Sequence, residues 1–100
     1  MINKFGLSRN TIDSINKVFS KYPQIEKVIL YGSRAMETYR NGSDIDLTLV
    51  SNSLTLTELL KIENQIDDLL LPYKIDLSLF KEIENEELLD HIKRVGVLFK

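Results

Sequence analysis

The sequence predicts a small mixed α/β domain, with a β-sheet of three to four strands and helices packed on one face of that sheet. Two short segments, 44–50 and 74–80, alternate apolar and polar residues in nearly the same order, as half-buried strands do. Between them lies a longer segment whose apolar residues recur with helical spacing. A chain of 100 residues can enclose one modest core, so we expect residues 1–100 to form a single domain.

The composition excludes several classes of protein. A net charge of −2 argues against a general binder of nucleic acid or membrane surfaces, because such proteins carry an excess of basic residues. The sequence has no cysteine, which excludes disulfides and thiolate metal sites. It shows neither a signal peptide nor an apolar run of about 18 residues, so we expect a cytoplasmic protein without membrane-spanning segments.

The first half of the chain predicts a helix, a strand and a second, short helix. A serine N-cap and a stripe of apolar residues predict a helix over 8–21. The β-branched segment 25–31 predicts the first strand, which a glycine ends. Residues 33–39 predict a short helix with Ser33 as its N-cap, and the Asn-Gly pair at 41–42 predicts a turn.

The second half predicts strand, helix, strand and helix. After the strand 44–50 we expect a helix over 57–71, stopped by a proline. The apolar side of that helix is predicted to comprise Leu59, Leu60, Ile62, Ile66, Leu69 and Leu70. The strand 74–80 precedes an acidic helix over 85–94. Residues 95–99 predict either a short edge strand, which would permit a homodimer, or an extension of the last helix.

This order of elements brings three carboxylates and a Gly-Ser pair to one end of the sheet. A helical crossover makes the second and third strands parallel, so that both begin at the same end. Asp44 and Asp46 open the second strand, Asp76 is near the opening of the third, and all three lie on the face opposite the apolar residues. If the first strand is antiparallel to the second, Gly32 and Ser33 arrive at the same end.

Carboxylates gathered in this way require a cation or a raised pKa. At about 4 Å and an effective dielectric near 20, each ionised pair costs about 4 kcal/mol. Divalent cations with oxygen ligands remove this repulsion, and a pair of them is the usual clamp for phosphoryl chemistry, which points to two Mg²⁺ ions. Gly32 allows a phosphate to approach the backbone, and Ser33 offers a hydroxyl and helix-terminal amides. Arg34 and Arg40 are the cations predicted to neutralise a triphosphate.

With these motifs the chain resembles the minimal nucleotidyltransferase (MNT) family, a compact branch of the DNA polymerase β-like nucleotidyltransferase superfamily. The resemblance covers nearly the whole chain and rests on Gly32-Ser33-Arg34, Ser43-Asp44-Ile45-Asp46-Leu47 and Ile75-Asp76-Leu77. The combination is specific, whereas each motif alone is more simply a capped helix or a solvated strand face.

The resemblance implies a polymerase β-like fold and a role for each motif. Asp44 and Asp46 would ligate both metal ions, and Asp76 would complete one metal site and activate the acceptor hydroxyl. Gly32 and Ser33 would hold the β- and γ-phosphates of the nucleotide. One position departs from the pattern. Many relatives have glycine three residues after the arginine of the first motif, whereas this chain has Glu37, expected to place a negative charge beside the triphosphate.

The resemblance also implies a biological setting. Small MNT proteins resemble antitoxins whose partner is a helical HEPN ribonuclease toxin, and some transfer AMP from ATP to a tyrosine of that partner. Two other functions remain open: a non-catalytic antitoxin that neutralises its partner by binding, and a nucleotidyltransferase that modifies a small-molecule hydroxyl. His91, the only histidine, has charged neighbours in the acidic helix and is expected to be exposed and without a role.

Overall fold

A four-stranded β-sheet organises residues 3–100, the part of the chain that the computed structural model describes. The elements in chain order are β1 (Asn3–Lys4), β2 (Leu7–Ser8), α1 (Arg9–Phe19), β3 (Lys27–Tyr31), α2 (Ser33–Met36), β4 (Ile45–Val50), α3 (Leu56–Asp67), β5 (Ile75–Leu79), a 3₁₀ turn (Phe80–Glu82), α4 (Glu86–Val95) and β6 (Val97–Leu98). None of the helices in this range is both long and apolar enough to cross a membrane.

The sheet has the strand order β5-β4-β3-β6. β4 and β5 are parallel and β3 is antiparallel to β4, which confirms both predicted pairings. β6 adds an edge strand antiparallel to β3, so the edge-strand alternative is correct for the end of the chain.

One face of the sheet packs against α1 and α3 and forms the hydrophobic core. The core residues are Leu7, Ile15, Val18, Phe19, Val28, Leu30, Ile45, Leu47, Leu49, Leu54, Leu59, Ile62, Ile66, Leu79 and Phe99. Ser8 caps α1 by accepting from the Thr11 amide, as predicted. Thr55 and Glu58 form a capping box that starts α3. Regular alternation along β4 buries Ile45, Leu47 and Leu49 in this core and turns Asp46 to the opposite face.

α4 lies on the other face, against β3, which differs from the prediction that all helices share one face. Ile92 of α4 is buried. A Cβ at Gly96 would clash first with the carbonyl oxygen of Ile92 in the last turn of α4, and then with a methyl of Ile29 on β3. Glycine at the end of this helix therefore leaves room for the last turn and for its approach to β3.

α3 ends earlier than the sequence predicts, at Asp67 rather than residue 71. The chain tightens into i→i+3 hydrogen bonds and then places Leu70 in the left-handed region, with φ of +54°. The prediction was wrong for two side chains of the apolar face: Leu70 is 87% exposed and Leu60 is 60% exposed. The turn at Leu70, and not the following proline, ends the helix.

The N-terminal hairpin of β1 and β2 was not predicted. Each strand has two residues, which is too short to show a period. Phe5 and Gly6 form the turn with φ of +60° and +73°. The hairpin buries Leu7 completely in the core and brings Phe5 against Phe99, with ring centroids 5.9 Å apart.

Candidate active site

Two of the predicted carboxylates are direct neighbours in the sheet. Asp46 of β4 and Asp76 of β5 are register partners, and on its other side Asp46 is paired with Tyr31 of β3. Asp44 lies one residue before β4 begins. Asp46 is partly buried, whereas Asp44 and Asp76 are exposed. The strands therefore gather the three carboxylates at one end of the sheet.

The electrostatics of this end are those of an uncompensated acidic cluster. Burial raises the pKa of Asp46, and the nearby Asp76 and Asp44 carboxylates raise it further, against smaller opposite effects of Lys74 and of His91 in its protonated form. Burial also raises the pKa of the Tyr31 phenol, to which Asp76 and Asp46 add. Both groups thus respond to an excess of negative charge, which a cation would relieve.

The carboxylates provide the hard oxygen donors that Mg²⁺ prefers. Within residues 3–100, however, no three acidic or histidine side chains already stand close enough to enclose an ion. Asp44 and Asp76 are exposed, so rotation of their side chains is the movement that would close the group around a cation. The donor chemistry suits a divalent metal, while the arrangement of the side chains is open.

The Gly-Ser turn lies directly against Asp46. Gly32 has φ of +77° and ψ of −157°, a conformation that only glycine adopts without strain. A Cβ at this position would collide with Oδ2 of Asp46. The prediction that Ser33 caps α2 was wrong by one residue, because Gly32 is the N-cap and its carbonyl accepts from the Ala35 and Met36 amides. Ser33 is the first helical residue, beside the carboxylates.

His91 contacts the same turn and is partly buried, which corrects the prediction that it is exposed. Its Nε2 accepts a hydrogen bond from the Gly32 amide at 3.1 Å. The imidazole also meets the Tyr31 ring edge-on, with centroids 6.2 Å apart. The two partners are 59 positions apart in the chain. The sequence offered no signal for this contact beyond the presence of a single histidine.

Arg34 is not free to bind a triphosphate, which corrects the prediction. The residue is only 2% exposed. Its guanidinium donates from Nε and Nη2 to the Ser43 carbonyl, at 3.2 and 2.9 Å, and from Nη1 to the Phe5 carbonyl at 2.9 Å. It also lies 5.3 and 5.0 Å from the ring centroids of Tyr39 and Tyr73. Arg34 thus ties the N-terminal hairpin to the loop that precedes Asp44.

Arg40 is exposed, in the turn that contains the predicted Asn41-Gly42 pair. Its amide donates to the Ser43 hydroxyl at 2.8 Å, and Gly42 has φ of +81°. This turn leads directly into Asp44. The side chain of Arg40 therefore remains the predicted candidate for a cation that meets phosphate.

Glu37 ends α2 in the left-handed conformation, with φ of +62° and ψ of 26°. Its amide donates to the Ser33 carbonyl, and its side chain is exposed. Glycine is the residue best suited to this position of a helix C-terminus, because it adopts positive φ without steric cost. The glycine that the resemblance leads one to expect at this position is therefore explained by backbone conformation.

Comparisons with known proteins agree with this fold. The family model described as "Polymerase beta, Nucleotidyltransferase" matches residues 13–100. No curated protein is significantly similar in sequence. A toxin-antitoxin structure with AMP-PNP has a TM-score of 0.72 at 19% identity, over 89% of this chain and 72% of that one. A tri-AMPylated Shewanella oneidensis HEPN toxin in complex with its MNT antitoxin matches with a TM-score of 0.67 at 16% identity, over 92% and 71%. An MntA-HepT toxin-antitoxin structure matches with a TM-score of 0.68 at 16% identity, over 93% and 72%.

Proposed function

The chain belongs to the polymerase beta nucleotidyltransferase family, and from this premise we propose that it transfers AMP from ATP to a hydroxyl group of a partner protein. We further propose that the partner is a HEPN-type toxin, that the acceptor is a tyrosine, and that the chain acts as its antitoxin in the cytoplasm. The similarity to structures of MNT antitoxins with HEPN toxins supports this choice of partner. The single domain of the family would then be 1–100.

One observation carries the catalytic part of the proposal. Asp46 and Asp76 are register partners on adjacent parallel strands, with Gly32 in contact with Asp46 on the other side. A carboxylate pair beside a glycine turn at a helix start combines cation ligands with backbone donors for phosphate. Asp44, one residue before the strand, would be the third ligand.

In the proposed reaction each motif has a separate task. The acceptor oxygen bonds to the α-phosphorus of ATP, the bond from that phosphorus to the bridging oxygen breaks, and pyrophosphate leaves. Asp76 takes the hydroxyl proton, which passes on to water. Ser33 binds the β- and γ-phosphates with its hydroxyl and its amide, Gly32 gives the phosphates close access to the backbone, and Arg40 adds positive charge. Two bound Mg²⁺ ions would supply charge neutralisation at the carboxylates and at the phosphates.

The test is co-expression with the HEPN partner followed by intact mass measurement of that partner. The wild type is expected to add one or more AMP groups, and a double variant, Asp44→Asn with Asp46→Asn, is expected to add none. Asp13→Asn is a matched control, because Asp13 is an exposed carboxylate on α1, on the opposite side of the sheet. A partner that stays unmodified by the wild type, with ATP and Mg²⁺ present, would contradict the proposal.

A second candidate function is neutralisation of the toxin by binding alone. The open arrangement of the three carboxylates favours it, since the described residues contain no ready metal group. In that case the double asparagine variant would protect cells from the toxin as well as the wild type does. The small-molecule alternative predicts labelling of a hydroxylated compound by radioactive ATP without any partner protein.

A further inference from the structure

We propose that His91 is a positioning residue for nucleotide binding, which holds the Gly32–Ser33 turn in the shape that receives the triphosphate. The inference rests on the proposed function, because it assigns to His91 a part in binding ATP. It starts from one contact: the Gly32 amide donates to His91 Nε2 at 3.1 Å.

The turn needs support from outside itself. Gly32 holds φ of +77° and ψ of −157°, while the helix it starts, α2, has only four residues. A helix of one turn is too short to fix its own N-terminus by cooperative hydrogen bonding. The hydrogen bond to His91 fixes the peptide plane between Tyr31 and Gly32, and the φ and ψ of Gly32 then set the direction in which the Ser33 amide points.

His91 is itself held in place. Asn85 caps α4 by accepting from the Leu88 amide, and the buried Ile92 packs the helix against β3. Gly96 allows the end of the helix to approach Ile29 closely. The edge-on contact with Tyr31 orients the imidazole ring. The helix thus presents Nε2 to Gly32 from a fixed position.

The contact also defines the chemical state of the imidazole. Gly32 N–H is a donor, so Nε2 must be unprotonated and the ring proton must be on Nδ1. Only a side chain with an acceptor at the Nε2 position can replace it. Glutamine places its amide oxygen at about that reach, whereas asparagine is shorter by one methylene and falls short of the Gly32 amide.

The test uses the full chain and the non-hydrolysable analogue AMP-PNP with Mg²⁺, measured by calorimetry. His91→Asn is expected to weaken binding about five- to tenfold, the change that accompanies loss of one hydrogen bond, whereas His91→Gln retains affinity close to wild type. In the transfer assay His91→Asn is expected to raise KM for ATP with little change in kcat. Glu87→Gln, an exposed change on α4, serves as the control.

Two further measurements separate positioning from folding. Melting temperatures are recorded for every variant, and ¹⁵N NMR of the ligand-free wild type is expected to show the Nδ1–H tautomer of His91. A doubly protonated or Nε2–H imidazole would overturn the inference, and so would His91→Asn binding AMP-PNP as well as wild type. If wild type binds AMP-PNP and both His91 variants are weakened equally, positioning through the acceptor is wrong. If wild type binds none, the proposed function fails and this inference with it.

Discussion

Replacement of Arg34 by methionine is expected to destabilise the fold without acting directly on nucleotide binding. Methionine preserves the unbranched stem but removes the charged donors to the carbonyls of Phe5 and Ser43. Hydrogen bonds from a charged group contribute about 1.5–3 kcal/mol each, offset in part by the desolvation of the buried guanidinium. We therefore expect the variant to lose about 3 kcal/mol of folding stability, from a domain whose free energy of unfolding is about 5–15 kcal/mol.

The assay is urea and thermal denaturation followed by circular dichroism, in the absence of nucleotide. For a domain of this size a loss of about 3 kcal/mol lowers Tm by more than about 10 °C. Arg40→Met is the matched control, because Arg40 is exposed, and its stability is expected to change by less than about 0.5 kcal/mol. For AMP-PNP binding the order reverses: Arg40→Met is expected to bind the analogue more weakly than Arg34→Met does. An Arg34→Met protein that melts like wild type but binds nucleotide poorly would refute this reasoning.

Three other substitutions probe the turn and the carboxylates. Asp46→Asn is expected to raise Tm without metal at neutral pH. The pKa of Asp46 is raised in the folded state, so its ionised carboxylate opposes folding. The gain in Tm over wild type should therefore shrink at acidic pH, where Asp46 is protonated in both the folded and the unfolded state. The same variant should lose the stabilisation that Mg²⁺ with AMP-PNP gives wild type, and equal stabilisation of both would contradict a role in binding. Gly32→Ala is expected to cost at least about 2 kcal/mol from backbone strain, besides the collision with Asp46, as measured by urea denaturation. Glu37→Gly is expected to stabilise by about 0.5–1 kcal/mol, through relief of positive φ, with nucleotide affinity unchanged or improved in calorimetry.

The motifs predicted the family and the backbone arrangement because both depend on local patterns. Alternation in 44–50 and 74–80 determined which face carries the carboxylates, and the helical crossover determined that these strands are parallel. The family match confirms the resemblance inferred from the motifs. The assignment of Asp44, Asp46 and Asp76 to metal remains a prediction.

The parts that the sequence did not predict depend on contacts between distant residues. Arg34 follows Gly32-Ser33 directly and was therefore assigned to phosphate, yet its acceptors belong to a hairpin and a loop on either side of it in the chain. His91 meets Gly32 only because α4 crosses β3 on the face opposite the main core. Such contacts follow from three-dimensional packing and leave no periodic signal in the sequence.

The short edge strand β6 has a consequence for local unfolding. It pairs Val97 and Leu98 with Leu30 and Ile29, and past the strand the amides of Phe99 and Val28 donate to the carbonyls of Val28 and Lys100. These partners lie far apart in the chain, and such pairings form late in folding. Phe99, directly after β6, is buried in the core and anchors the strand. An opened β6 leaves the outer edge of β3 as a template for a strand from another molecule. Opening of β6 would also loosen the end of the helix that carries His91, and with it the hydrogen bond from the Gly32 amide to His91 Nε2.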